Sequence, residues 1–393
     1  MPNIECPGCS SKRTDVFYEL ESVPTNSCIL LATREEALEY PKGNIYLSFC
    51  DDCGFIWNSA FVPERTEYSA RYEETQGFSP TFKAFHQALA QHLIDRYDLH
   101  EKVILEIGCG KGEFLNLLCK LGPNSGIGFD PGYHADRGND AAAGDVRVIT
   151  DFYSGKYASY KGDFVACKMT LEHIPTVSDF IGAVRNAVRD SDSIVFFQIP
   201  EALRILTDCA YEDIYYEHCS YFTGGSIARL FRRHGFEVLT VETEYDAQYL
   251  TIEARLDEAG STGTETLCGE ESREELRDLV GSFAQRCTEK IDTWRKRLRA
   301  WKEAEATVVL WGSGSKAVSF LHAMGGDCHI ENVVDINPYR HDHFMPGSGQ
   351  RIVPPAKLQE IRPDVVVVMN RVYVPEIHDD LHELGLNPEV HAL

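Results

Sequence analysis

The chain has 393 residues, is 43% hydrophobic and 25% charged, and carries a formal net charge of −23, the profile of a globular protein long enough for two or three cores. A pI near 5.0 excludes the broad basic surface that polyanion binding needs, so no nucleic-acid partner is expected. Residues 1–12 have no apolar core of signal-peptide length and nowhere do about 18 apolar residues run together, so a cytoplasmic protein without membrane contact is expected.

Two pairs among the thirteen cysteines are spaced as CxxC, Cys6-Pro7-Gly8-Cys9 and Cys50-Asp51-Asp52-Cys53. A two-residue spacer lets both thiolates of a knuckle reach one ion, and two knuckles supply the four ligands of a closed, structural zinc site at Cys6, Cys9, Cys50 and Cys53. Redox dithiols are the competing reading of each pair. The tyrosine- and glutamate-rich stretch 68–76, which includes Tyr72, is either a lid over a ligand or a solvated linker. Residues 82–97 then read as a leading helix.

Val103-Ile104-Leu105-Glu106-Ile107-Gly108-Cys109-Gly110-Lys111-Gly112 joins a short apolar strand to three glycines at alternate positions, and 113–121 has helical spacing. Without a Cβ at Gly108, Gly110 or Gly112 the chain can turn sharply and let a ligand lie against its amides. Asp130 follows a second strand at 125–129, where a carboxylate suits a ribose diol. A nicotinamide dinucleotide shares that logic. Against it, the spacing is GxGxG and Glu106 stands two positions before the first glycine, a pattern that resembles the E/DxGxGxG signature of class I S-adenosylmethionine-dependent methyltransferases.

Strands at 146–149, 163–169 and 193–200 complete an alternating α/β pattern. In a methyltransferase, Asp151-Phe152 would offer a carboxylate and an apolar ring to adenine. Open α/β sheets bind ligands at the carboxyl ends of their strands, so Glu106, Asp130, Asp151 and the stretch from Lys168 to His173 can face one crevice. Residues 211–222, with Tyr215, Glu217 and His218, hold a base, a partner to orient it and hydroxyls for a developing oxyanion; a capping loop whose rings only pack is the alternative. Apolar positions spaced by three and four across 270–301 predict one long connecting helix, with a dimerising coiled coil as the competing reading. Beyond it, Gly312-Ser313-Gly314-Ser315-Lys316-Ala317 follows a strand at 307–311, and Asp335 ends another at 332–334. Alone this suggests a dinucleotide site; with so short a remainder, a glycine turn lent to another ligand or to packing is favoured.

The order of these parts resembles the zinc-containing nucleotide-sugar C-methyltransferases of deoxysugar biosynthesis over essentially the whole length. The likeness rests on the two knuckles, the donor turn, the Tyr-x-Glu-His stretch at Tyr215, Glu217 and His218, and a tail. In the tail, Val333-Val334-Asp335-Ile336-Asn337-Pro338-Tyr339 followed by Met345-Pro346-Gly347 looks like the family pattern DxNPxKxGxxxPG. The resemblance implies a class I methyltransferase Rossmann-like sheet flanked by a small N-terminal zinc-binding domain and a C-terminal Rossmann-like domain. The parts would be 1–75 (zinc and lid), 76–260 (S-adenosylmethionine binding), 261–305 (linking helix) and 306–393. It further implies C-methylation of a nucleotide-linked keto-deoxysugar: His218 removes the proton beside the ketone, Glu217 positions sugar or imidazole, and Tyr72, His173 and Tyr215 hold substrate and enolate. Donor contacts would come from Glu106, Gly108, Gly110, Gly112, Asp130, Asp151, Phe152 and Lys168, and the chain would act as a monomer or dimer. O- or N-methylation of a sugar or other small metabolite, or donor binding without turnover, are the alternatives. Two departures bear on the acceptor: Tyr216 stands where many relatives have His, and His341-Asp342-His343 stands where the family usually has Lys and Gly.

Overall fold

The computed structural model describes residues 4–69, 71–133, 145–257, 266–327 and 329–393. The N-terminal part contains β1 (Thr14–Pro24), α1 (Arg34–Glu39), β2 (Lys42–Cys50) and β3 (Ile56–Asn58). The middle part runs α2 (Pro80–Tyr97), β4 (Val103–Ile107), α3 (Glu113–Leu121), β5 (Ser125–Phe129), β6 (Val146–Ile149), β7 (Phe164–Lys168), α4 (Val177–Arg185) and β8 (Ile194–Pro200). It continues through α5 (Ala202–Asp208), β9 (Ser220–Tyr221), α6 (Gly224–Arg233), β10 (Phe236–Glu244) and β11 (Tyr249–Leu256). α7 (Arg273–Glu303) leads to β12 (Val308–Trp311), α8 (Ser315–Met324), β13 (Asn332–Val334), β14 (Arg351–Val353), α9 (Leu358–Ile361), β15 (Val365–Val368), α10 (Val374–Glu383) and β16 (Glu389–Ala392). The expected boundary between residues 260 and 261 lies outside the described residues.

The central sheet has the order β10-β11-β8-β7-β4-β5-β6, parallel from β8 to β6, with β11 antiparallel to both its neighbours. That is the class I methyltransferase arrangement anticipated from the alternating pattern. Every residue of β7 is buried, as expected of a strand covered on both faces. The strand order reverses between β4 and β7, and at such a switch point the outward-turning loops leave a crevice.

A four-stranded sheet, β1-β2-β3-β9, shows how the parts interlock. Its last strand comes from the middle of the chain: Ile56 pairs with Tyr221 and Trp57 with Ser220. The Tyr-Glu-His stretch is thereby anchored to the sheet that carries the second cysteine knuckle.

The third sheet, β14-β13-β12-β15-β16, is wholly parallel. α7 bridges it to the rest. A capping box between Ser272 and Glu275 starts this helix at Arg273, three residues after the expected start, because Glu270 pairs instead with Arg232. Its apolar stripe is covered within the chain. Phe283 meets Phe17 and Tyr18 edge-on, and Trp294 meets Phe320 the same way. The residues of the stripe named here are thus taken up by packing within the chain. Asp342 has φ 64°, so the tail keeps a left-handed turn without a glycine there. No described helix is long and apolar enough to cross a membrane.

Candidate active site

The donor turn follows β4. Gly108, Gly110 and Gly112 have φ of 71°, 53° and 75°, which side-chain-bearing residues rarely adopt. The approach at Gly108 is closer still, since a Cβ there would fall 1.9 Å from Thr170 Oγ1. Asp130 braces the turn: its Oδ2 accepts the Gly110 N–H at 2.9 Å and its Oδ1 the Gly132 N–H at 2.8 Å. Glu106 is 2% exposed, and its Oε2 has no hydrogen-bond partner among the described residues. Burial pushes its carboxyl up to about 8, against the pull of the Lys168 ammonium. Burial likewise brings Lys168 down to about 8, and its Nζ donates to His86 Nε2 at 2.7 Å. Glu106 Oε2 is thus a spare acceptor among the described residues, whereas the Gly108, Cys109, Gly110 and Gly112 amides of the turn are bonded within the chain.

Asp151 and Phe152 follow β6. The Asp151 carboxylate accepts from Phe152 N at 2.8 Å and from Tyr157 Oη at 2.6 Å, and pairs with Lys156. Phe152 is 61% exposed, an unusual state for a large apolar ring and one that suits a stacking surface.

Glu73 and Thr75 lie directly against the glycine turn and the helix after it. Glu73 Oε1 accepts Lys111 Nζ at 2.7 Å and Asn337 Nδ2 at 3.0 Å, while Thr75 Oγ1 donates to Glu113 Oε1 at 3.0 Å. Three parts of the chain therefore meet at one buried carboxylate.

Beside this lies the second cluster. His173 sits in the short turn after β7, and Tyr215, Glu217 and His218 precede β9. His218 Nε2 is 2.8 Å from Tyr215 Oη, and the His218 and His173 rings are 4.9 Å apart and nearly perpendicular. His173 Nδ1 lies 3.0 Å from Glu217 O and 3.0 Å from Tyr68 Oη. A carbonyl only accepts, so Nδ1 carries the proton and Nε2 keeps a bare lone pair. Burial lowers His173 to about 4 and holds His218 well below its ordinary value, so both imidazoles are neutral at physiological pH. Glu172, 2% exposed, has no hydrogen-bond partner on either carboxylate oxygen among the described residues, and burial raises it to about 8. Ligand-capable atoms of Glu172, His173 and His218 all lie within 4.8 Å of one another.

Four of the five predicted chemical residues, His218, Tyr215, His173 and Glu217, are therefore linked directly. Tyr72 reaches them through Tyr68, whose ring centroid is 5.4 Å from its own. Tyr68, Glu172, Glu73 and Lys111 were absent from the predicted set although each lay in a stretch already singled out. Ser27 had no local signal at all. Its N–H donates to Glu217 Oε1 at 2.9 Å and its Oγ to Oε2 at 2.8 Å. Tyr216, the departure from the family, points elsewhere: fully buried, its Oη accepts the Val62 N–H at 2.9 Å, and its ring fills the space a Cβ on Gly43 would need.

The cysteines pair across the knuckles, with Cys6 Sγ 3.6 Å from Cys53 Sγ and Cys9 Sγ 3.6 Å from Cys50 Sγ. A tetrahedron with zinc–sulfur bonds of about 2.3 Å has edges of about 3.8 Å, so the four thiols fit that ion.

Residues 82–241 match the family model described as "Methyltransferase domain", and residues 249–386 match "C-methyltransferase C-terminal domain". The chain is 25% identical to C-methyltransferase NovU of Streptomyces niveus over 72% of its own length and 69% of that protein's. Among solved structures, it is 15% identical to magnesium protoporphyrin IX methyltransferase of Synechocystis PCC 6803 with bound S-adenosylhomocysteine, with a TM-score of 0.35 covering 45% of this chain and 84% of that one. A methyltransferase of Clostridium acetobutylicum is 13% identical, with a TM-score of 0.35 covering 44% of this chain and 92% of that one.

Proposed function

We propose, from the premise that the chain is a member of the C-methyltransferase family and uses S-adenosylmethionine, that its acceptor is a nucleotide-linked keto-deoxysugar methylated on the carbon beside the ketone. One observation carries this reading: Glu172, with both oxygens unpartnered among the described residues, has a ligand-capable oxygen within 4.8 Å of two neutral imidazoles, one of them bonded to Tyr215. Unsatisfied buried polar groups are costly, and their concentration here suits a ligand rich in hydroxyl and carbonyl groups.

The donor supplies an electrophilic methyl group, with Glu106, Gly108, Gly110, Gly112, Asp130, Asp151, Phe152 and Lys168 as the residues that would hold it. Carbon is a poor nucleophile until deprotonated. His218, neutral and gripped at Nε2 by Tyr215, removes the proton on the carbon adjacent to the ketone, and the C–H electron pair passes into the enolate. Tyr215 and Tyr72 supply hydroxyls for the enolate oxygen, and His173 holds the Glu217 carbonyl so that the loop bearing the base keeps its shape. Zinc on Cys6, Cys9, Cys50 and Cys53 serves structure, since four thiolates leave no open position. Residues 1–75, 76–260, 261–305 and 306–393 would act as zinc module with lid, donor domain, linking helix and C-terminal Rossmann-like domain.

The test incubates the protein with keto-sugar nucleotides in deuterated water without donor. Exchange at the carbon beside the ketone is expected in the parent and not in His218→Ala. Equal methylation by parent and variant would remove His218 from the base role. A second reading follows from the lone pair left on His173 Nε2: if His173→Ala loses exchange and His218→Ala keeps it, the two imidazoles trade roles. Methyl on oxygen or nitrogen, seen by NMR of the product, would replace C-methylation altogether.

A further inference from the structure

The glycine turn after β12 was the one prominent motif that the donor and acceptor assignments left unused. Its acidic partner is occupied internally, since Asp335 Oδ2 accepts Ser313 N at 2.8 Å and Oδ1 accepts Asn337 N at 2.8 Å. The helix it opens, α8, faces the acceptor loop instead of solvent. Lys316 pairs with Asp213, and Ser319 Oγ donates to Ile214 O at 2.8 Å. Ser315, the first residue of that helix, places its Oγ 2.7 Å from Ser27 Oγ.

We infer that Ser315 and Ser27 are positioning residues of the acceptor site, forming a hydrogen-bond chain from the C-terminal glycine turn to the Glu217 carboxylate. The direction of the chain follows from counting protons. An ionised Glu217 can only accept, so the single Ser27 hydroxyl proton goes to it, and Ser315 must then donate to Ser27 Oγ. Each donor polarises the next, so loss of Ser315 weakens the Ser27–Glu217 bond without touching it. Glu217 is completely buried, and its main chain is held at the other end by His173 Nδ1. The peptide leading into His218 is therefore clamped by a side-chain bond at one end and a main-chain bond at the other.

The chain also bears on charge. Burial raises Glu217 to about 7, and the Ser27 N–H and O–H oppose that rise most, followed by the Glu217 and Cys28 amides. The titratable groups facing it include the phenols of Tyr40, Tyr68, Tyr72, Tyr215 and Tyr221, all pushed above their ordinary range and so neutral, and beside them the His173 and His218 imidazoles, both lowered by burial and neutral too. Beyond the loop, Lys316 acts on His218 and lowers it. With no cation among these neighbours, the Ser27 donors are two of the four hydrogen bonds that favour the ionised carboxylate, beside those of the Cys28 and Glu217 amides.

This inference rests on the proposed acceptor chemistry for its purpose but is testable without turnover. Infrared difference spectra of the resting protein, with Glu217→Gln as reference, follow the protonated carboxyl stretch of Glu217 against pH. Ser27→Ala should raise the midpoint by about one pH unit, Ser315→Ala by a smaller step, and Ser315→Thr should restore the parent value. S-adenosylhomocysteine affinity should be unchanged in all three, which reports that the donor domain is folded. If neither alanine variant moves the midpoint, the chain has no such role whether or not the protein is active. A shifted midpoint in a protein that gives neither C–H exchange nor methylated product would leave the chain standing and remove the acceptor reading.

Discussion

Lys111 Nζ, inside the donor turn, lies 2.7 Å from Oε1 of Glu73, a carboxylate with no solvent exposure that also accepts Asn337 Nδ2. The pair joins the glycine turn at residues 108–112 to Glu73, and Asn337 brings in the C-terminal sheet.

Cutting such a pair on one side strands a charge, at a cost of about 3–5 kcal/mol. Glu73→Ala should make the stretch 66–79 the first site of limited proteolysis and weaken S-adenosylhomocysteine binding by about tenfold. Adding Lys111→Met should recover part of the lost stability. A cleavage pattern identical to the parent's would show that the pair does not hold the segment down.

Gly108 tests the donor turn at its tightest point. A methyl group there meets Thr170 Oγ1 at 1.9 Å on a backbone at φ 71°, so Gly108→Ala should abolish donor binding by calorimetry. Gly155→Ala, where nothing lies within 4 Å of the added carbon, should bind as the parent does. Comparable affinities in the two variants would place the donor elsewhere.

Glu172 predicts a pH dependence of stability. Its folded-state carboxyl is raised by burial from 4.5 to about 8, so folding favours the protonated form. The contribution is full below 4.5 and is lost as pH rises through about 8, where holding the anion becomes the cost. Glu172→Gln should therefore be more stable than the parent at pH 8.5, on the order of 1–3 kcal/mol, with little difference at pH 4.5. Glu106 and Glu201, raised in the same way, keep some slope in both proteins. Urea titrations at the two pH values read the difference; a variant less stable at pH 8.5 would mean the carboxylate has a partner.

For the knuckles, Cys50→Ser should lower zinc from about one per chain to near none by plasma mass spectrometry. Acceptor turnover should fall with it, because β2 and β3 carry the knuckle on one side and β9 on the other. Donor binding should persist. Full metal content in the variant would assign the cysteines to another role.

What could be read from the sequence was local. The glycines at 108, 110 and 112, the Asp130 that follows one strand later, and the CxxC spacers are each complete within a few residues or one βαβ unit, so spacing alone exposes them. The stripe of α7 shows in its period. The partners of the acceptor cluster show in nothing of the kind: Ser27 meets Glu217 across 190 positions, Tyr68 meets His173 across 105, and Glu73 meets Asn337 across 264. Such pairs are set by how three sheets dock, and a serine among unremarkable neighbours gives no sign of the carboxylate it will face.

The pairing of β3 with β9 constrains how this protein can be recombined. Exchanging the first 75 residues for those of a relative, in search of a new acceptor, would leave Ser220 and Tyr221 facing a foreign strand and Glu217 facing a foreign residue 27. A workable graft has to carry 211–222 along with the N-terminal segment and match the face of α8 that meets both. The N-terminal sheet, residues 211–222 and α8 are thus three separated pieces of gene that have to match one another, and chimeras cut at the apparent module borders should express poorly or lose turnover while still taking up the donor.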